Sequence, residues 1–93
     1  MAHATDHNAP KLSARARRAL DVLADGGFMV ERLETNWHGG STWMTRFCRT
    51  RSASTAVRGI GIATKYELQN AGFRFRTVSD RSAVATYYQI ATD

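Results

Sequence analysis

The residues best equipped for chemistry in this 93-residue chain are its arginines, which make up eleven of the thirteen basic side chains. Eight acidic side chains oppose them, so the formal net charge is +5. Residues 46–81 hold eight basic and two acidic side chains, whereas residues 1–45 hold five of each. A guanidinium binds phosphate through paired hydrogen bonds, so this asymmetry indicates a surface that faces phosphate or an acidic protein. A merely basic, solvated surface is the alternative.

Side chains that could catalyse a reaction or bind a metal are scattered along the chain. There is no glycine-rich phosphate loop, nucleophile elbow or metal-ligand cluster in the sequence. The single cysteine, Cys48, cannot form an internal disulfide, and its strand-like surroundings favour a buried thiol. We therefore predict that the chain is not an enzyme, and we predict no catalytic residue, no metal site and no cofactor.

The elements that must position the arginines begin with a helix. Ser13 is a good N-cap, and residues 14–25 place alanine and leucine on one face at helical spacing. Gly26 and Gly27 then end the helix. Two β-type runs follow, residues 28–35 and 41–49, and the glycine-containing stretch between them predicts a hairpin. The period-two pattern in the second run places Trp43 on the same face as Phe47, and we expect this face to pack in the core.

The second half of the chain repeats this order. Residues 56–61 fit either a short strand or a cramped helix, residues 62–71 form a helix, and Gly72 ends it. Residues 73–78 alternate with the phenylalanines inward and the arginines outward. A turn at residues 79–82 leads to a last strand at residues 84–90. The junctions 23–28 and 68–73 resemble each other, since in both a helix ends in glycine and continues into a strand through phenylalanine.

These elements predict a single α+β domain over residues 12–93, preceded by a flexible tail at residues 1–11. The order is helix, β-hairpin, helix, β-hairpin. No apolar run approaches the roughly 20 residues that a membrane span requires, and the N-terminus has no hydrophobic stretch typical of a signal peptide. We expect a cytoplasmic location.

Residues 62–90 resemble the recognition helix and wing of winged-helix domains. The helix carries Leu68 and ends at Gly72, Phe73 begins the wing, and residues 79–82 form its polar tip. The opening of the chain, residues 12–27, is similar to that of the small YjhX-type family of winged-helix-like toxins that inhibit DNA topoisomerase I. Together the resemblances cover residues 12–90 and imply a winged-helix-like fold.

The leading functional hypothesis is nucleic-acid binding, with double-stranded DNA as the expected partner. Thr64 and Lys65 would begin the recognition helix, which approaches bases and phosphates in winged-helix domains. The wing would contribute its outward arginines to phosphate or the minor groove. The predicted nucleic-acid-binding residues are Arg58, Thr64, Lys65, Arg74, Arg76 and Arg81.

The alternative is a protein-binding inhibitor carried by a phage or mobile element. A host nucleic-acid-processing enzyme would be its target, as for a topoisomerase-inhibitor toxin or an anti-CRISPR protein. Tryptophan, tyrosine and arginine are enriched at interface hot spots, and this chain has all three. The predicted protein-binding residues are Trp37, Arg46, Arg49 and Tyr87. A homodimer is compatible with either hypothesis, and no membrane partner is expected.

Overall fold

The computed structural model describes residues 11–78 and 84–91, which form a small α+β domain. Most of the predicted tail, the predicted tip at residues 79–82 and Arg81 lie outside these residues. The order of elements is helix, strand, strand, helix, strand, strand. The elements are α1 (Ala14–Ala24), β1 (Phe28–Thr35), β2 (Ser41–Cys48), a 3₁₀ turn (Ala53–Thr55), α2 (Ile62–Asn70), β3 (Phe75–Thr77) and β4 (Ala85–Ile90).

The first helix begins and ends as the sequence predicts. The Ser13 hydroxyl accepts a hydrogen bond from the backbone N–H of Ala16 at 3.1 Å, which satisfies one of the free donors in the first turn. At the other end, Gly26 has a φ of 90°, and the N–H of Gly27 bonds back to Val22. This is a Schellman ending, which needs a left-handed residue after the helix. The chain is thereby turned directly into β1.

The four strands form one antiparallel sheet in the order β2-β1-β4-β3. β1 and β2 pair over their whole length as a hairpin, with Phe28 opposite Cys48 and Thr35 opposite Ser41. β1 also pairs with β4, so the second pair of strands is joined to the first in a continuous sheet. β2 and β3 are the two edge strands.

Both helices pack on the same face of the sheet. Side chains alternate between the two faces along a strand, so Met29 of β1 and Phe47 of β2 point to the face that the helices cover. They pack there against Ala19 of α1 and Leu68 of α2. These four residues are no more than 1% exposed. A second, smaller cluster of buried side chains lies on the opposite face, around Val30. The domain therefore has one helical layer and one helix-free sheet face.

Three predictions about local structure need correction. Residues 56–61 form neither a strand nor a helix: Ala56 makes an isolated bridge to Cys48, and Ile60 fills the core from a loop. Trp43 is 55% exposed, because it lies on the part of the hairpin that extends beyond the helices. The regular pairing of β3 begins at Phe75 and not at residue 73, although Phe73 does pack against the core. The winged-helix assignment stays a prediction.

Among the described residues, neither helix is long and apolar enough to cross a membrane.

Candidate functional site

The helix-free face of the sheet gathers arginines from four separate parts of the chain. Arg32 and Arg46 share the face of Val30 and Cys48 by period-two alternation, and Arg76 faces away from the core residue Phe75. Arg74 lies two residues before Arg76 and Arg51 lies over the same face. We call these five residues the arginine face: Arg32, Arg46, Arg51, Arg74 and Arg76. Glu34 is the one acidic side chain on the described strands of this face.

An aromatic pair lies beneath the arginines. Phe28 and Tyr87 meet edge to face with ring centroids 5.8 Å apart. The Arg51 guanidinium carbon lies 5.3 Å from the Phe28 centroid and 5.6 Å from the Tyr87 centroid, within the range of cation–π attraction. The Tyr87 hydroxyl donates to the backbone carbonyl of Arg51 at 3.3 Å. These contacts hold the residue 49–56 segment against the face and cover Val30 from solvent.

Arg46 and Arg32 differ in how their hydrogen-bonding capacity is used. Arg46 makes two hydrogen bonds to the Glu34 carboxylate, from Nη2 at 2.9 Å and from Nε at 3.2 Å. These bonds lower the pKa of Glu34 and raise that of Arg46. Within the part of the chain that the structure describes, Nη2 of Arg32 is buried and has no hydrogen-bond partner. Because this nitrogen is shielded from solvent, an external anion cannot reach it in this conformation.

The two site residues predicted on the second helix do not lie on this face. Thr64 is 4% exposed and packs inside the domain, so its side chain cannot contact a base edge or a phosphate in this fold. Lys65 forms an ion pair with Glu31 on the helical side of the sheet, with Nζ 2.6 Å from Oε2. Burial raises the pKa of Glu31, but hydrogen bonds from Lys65, Tyr88 and Thr45 together with the charge of Lys65 outweigh it, so the net pKa is lowered.

The remaining predicted residues divide between the arginine face and other places. Arg74 and Arg76 are exposed on it, and Arg76 Nη2 donates to Gln89 at 3.4 Å. Arg49 and Arg58 are exposed in the segment that connects β2 to α2. Of the residues assigned to a protein interface, Arg46 belongs to the arginine face, and Tyr87 lies beneath Arg51.

Trp37 projects from the tip of the β1–β2 hairpin, where it is 88% exposed. The Asn36 side chain accepts hydrogen bonds from the backbone of His38 at 2.9 Å and of Gly40 at 3.0 Å, so the turn is internally braced. The indole lies against the His38 ring, with centroids 3.6 Å apart. A large apolar side chain is thus held in solvent by an ordered turn.

Sequence reasoning missed Arg32 and Arg51 as site residues. Arg32 could have been found, since the predicted hairpin places it on the same face as Arg46 once the strands are paired. Arg51 gives no such signal, because its position depends on how an irregular segment folds back over the sheet. Cys48 is buried as predicted, and burial raises its pKa. No group of three potential metal ligands occurs among the described residues.

Comparison of the chain with protein-family models, curated proteins and solved structures finds no match. The arrangement of the chain's own side chains is therefore the basis for a proposed function.

Proposed function

We propose that this protein binds nucleic acid through its arginine face. The observation that carries the proposal is a sheet face without an α-helix on which five arginines lie, with Glu34, the partner of Arg46, as the one acidic side chain on its described strands. Each guanidinium offers a planar set of N–H donors that matches phosphate oxygens. A nucleic-acid backbone presents such oxygens at regular intervals, so several arginines on one face can be engaged at once.

One further feature supports a nucleic acid over a generic anion. Phe28 and Tyr87 are partly exposed and lie beneath Arg51, and aromatic rings beside positive charge are typical of surfaces that contact bases as well as phosphates. Binding of this kind requires no base-specific contact and predicts modest sequence preference.

The second helix is a poorer candidate for the contact. Its two charged residues, Lys65 and Glu67, have opposite signs, and both are engaged in contacts within the domain. A helix that enters the major groove needs exposed polar or basic side chains along one side. We therefore propose the sheet face as the contact, and a winged-helix assignment is not needed for it.

Fluorescence anisotropy with labelled duplex and single-stranded oligonucleotides, at low and then physiological salt, tests the proposal. We expect binding at low salt that weakens steeply as salt is added. Replacing Arg74 and Arg76 together with alanine should weaken binding strongly. The matched control replaces Arg17 and Arg18, exposed on α1 in the opposite layer, which removes the same charge. An equal loss in both double variants, or no binding at low salt, would contradict the proposal.

A protein target is the second candidate, and the exposure of Trp37 favours it. An indole held in solvent by a braced turn is suited to fill a pocket on a partner, and tryptophan is among the residues most enriched in hot spots. The partner would be a host nucleic-acid-processing enzyme, whose inhibition by a small basic protein needs no catalysis. Affinity capture from a nuclease-treated lysate, with Trp37→Ala as the comparison, tests this function. A specific protein lost with Trp37→Ala would support it.

A further inference from the structure

Arg51 is the residue of the arginine face that lies over the aromatic pair. Its guanidinium carbon is 5.3 Å from the Phe28 centroid and 5.6 Å from the Tyr87 centroid. Arg51 is exposed, whereas the two rings are partly exposed. A guanidinium is planar and weakly hydrated, and it stacks readily on flat groups. Arg51 therefore offers solvent a flat, charged surface that two aromatic rings support from below.

The backbone that carries Arg51 is held in place, although it belongs to neither a helix nor a strand. The Tyr87 hydroxyl donates to the Arg51 carbonyl at 3.3 Å. The Thr55 hydroxyl accepts from the backbone N–H of Thr50 at 3.0 Å and donates to the Ser52 carbonyl at 2.7 Å. A contact on a braced backbone loses less conformational entropy when a ligand binds. Arg51 is therefore pre-organised for binding.

A second arginine of the face lies beside this stack. Arg76 pairs with Gln89, which is two residues from Tyr87 and on the same face of the sheet. Arg76 and Tyr87 are therefore diagonal neighbours across two strands, about 7–8 Å apart. Arg76 is exposed, and its Nη2 contact with Gln89 is long at 3.4 Å. A nucleotide whose base stacks on Arg51 would thus have a guanidinium nearby for its phosphate.

A base can stack on Arg51 only if it is unpaired. In a duplex, the flat faces of the bases are covered by their neighbours, and only the base edges are open in the grooves. The sheet is also too wide for a groove, since four strands side by side span about 14 Å between the outer strands and the major groove is about 12 Å wide. Single strands, in contrast, present bases that stack on aromatic rings and guanidinium planes.

We propose that the ligand of the arginine face is a single-stranded nucleic acid, one base of which stacks on the Arg51 guanidinium above Phe28 and Tyr87. This proposal rests on the proposed function and adds to it the strandedness of the ligand and the position of a base. Every base has a flat face, so the stack is tolerant of sequence. The sugar takes no part in it, so DNA and RNA strands share the chemistry.

Fluorescence anisotropy with three labelled DNA ligands of equal length tests the proposal. The ligands are a single strand, the duplex of the same sequence, and a strand in which abasic sites replace the bases. The abasic strand keeps every phosphate, so the affinity that it loses measures the contribution of the bases. At physiological salt, where phosphate contacts contribute less, we expect the intact strand to bind about tenfold more tightly than either other ligand.

Arg51→Lys tests where the base lies. It keeps the positive charge but removes the planar group, so affinity for the intact strand should fall about fivefold while affinity for the abasic strand stays nearly unchanged. Arg18→Lys is the matched control, since it makes the same change at an exposed position of α1 in the opposite layer. It should leave the preference for the intact strand unaltered.

The possible outcomes distinguish this proposal from the function on which it rests. Equal affinity for the intact and abasic strands, or tighter binding of the duplex at physiological salt, would overturn the stacked base and leave phosphate binding intact. An unchanged preference in Arg51→Lys would overturn the position at Arg51. Absence of binding to every ligand at low salt would overturn the proposed function as well. An RNA strand of the same sequence should also bind more tightly than the duplex, and the tighter of the two strands identifies the sugar of the ligand.

Discussion

Glu67 of α2 holds Ser13, the residue that caps α1. Its carboxylate accepts from the Ser13 backbone N–H and from the Ser13 hydroxyl, each at 2.7 Å, across 54 residues of sequence. The same hydroxyl accepts from Ala16, so one serine both starts the first helix and ties it to the second. The Glu67 carboxylate of α2 therefore joins the two helices through Ser13, the N-cap residue of α1.

Replacing Ser13 with alanine should destabilise the domain by about 1 kcal/mol or somewhat more, because loss of an N-cap alone costs about this much and the bond to Glu67 is lost as well. Urea unfolding followed by far-UV circular dichroism measures the change. Ser41→Ala serves as a control, since that exposed hydroxyl has only a marginal 3.5 Å contact with Thr35. Equal stability of the two variants would show that the cap contributes nothing.

The ion pairs make stability depend on acidic pH. The pKa values of Glu31 and Glu34 are lowered in the folded chain. For Glu31, burial opposes the shift, and hydrogen bonds from Lys65, Tyr88 and Thr45 together with the charge of Lys65 outweigh it. For Glu34, the main cause is the hydrogen bond from Arg46. A carboxyl group whose pKa is lower in the folded than in the unfolded chain stabilises the fold at pH values above its unfolded pKa. This contribution is lost as the pH falls and the carboxylate binds a proton. The stability should therefore fall as the pH drops from about 4.5, the ordinary glutamate value, through the lower folded values.

Thermal unfolding between neutral and acidic pH measures this dependence. Glu31→Gln should be less stable than the wild type at neutral pH, and the difference should shrink as the medium becomes acidic, since the wild type then also loses its ionised carboxylate. A difference that stays constant down to low pH would indicate a packing defect and not a lost charge.

The two glycines at the junction between α1 and β1 should differ in how well they tolerate substitution. Gly26 has open space around it, so Gly26→Ala suffers mainly from its positive φ, a cost of about 1–2 kcal/mol. A Cβ on Gly27 would lie 2.6 Å from the carbonyl oxygens of Cys48 and Val22, which are backbone atoms. Gly27→Ala should therefore be clearly more destabilising, and chemical denaturation of both variants under one condition makes the comparison.

Nucleic-acid affinity should depend on salt in proportion to the arginines engaged. Each phosphate contact contributes about 0.9 to the slope of log affinity against log salt for duplex DNA, so loss of Arg74 and Arg76 should reduce the slope by about 2. Anisotropy titrations at several salt concentrations give the slope. An unchanged slope with reduced affinity would mean that these residues act through folding and do not contact phosphate.

Cys48 should be unreactive in the folded chain. It is 1% exposed and its pKa is raised mainly by burial, so the thiolate that reacts with alkylating reagents is both scarce and inaccessible. Labelling with a thiol reagent should be slow in native buffer and fast in denaturant. Rapid native labelling would indicate that the edge of the sheet opens around Cys48.

The parts of the fold that were predictable are those with a local signal. Ser13, Gly26 and Gly72 mark helix boundaries through backbone chemistry, and period-two alternation identifies the β1–β2 hairpin within one residue of its bounds. The pairing of β1 with β4 has no local signal, since it joins residues more than 50 positions apart. Without that pairing, the sequence cannot reveal that Arg76 shares a face with Arg46.

The candidate site was harder to predict for the same reason. The place of Thr64 at the start of a helix predicts a contact with nucleic acid, but packing of Leu68 decides which side of that helix faces the sheet, and Thr64 lies on that side. Lys65 is neutralised by Glu31, a partner 34 residues away. Such distant partners, and not the position of a charge in the sequence, decide which basic side chains are paired within the fold.

The placement of the two tryptophans determines what intrinsic fluorescence can report. Trp37 and Trp43 are both exposed and neither belongs to the buried core, so emission from the native chain should already have the wavelength of indole in water. Unfolding should shift that emission very little. A blue shift would instead indicate that the hairpin has bound another molecule. Binding at the hairpin can therefore be followed by intrinsic fluorescence, without a label.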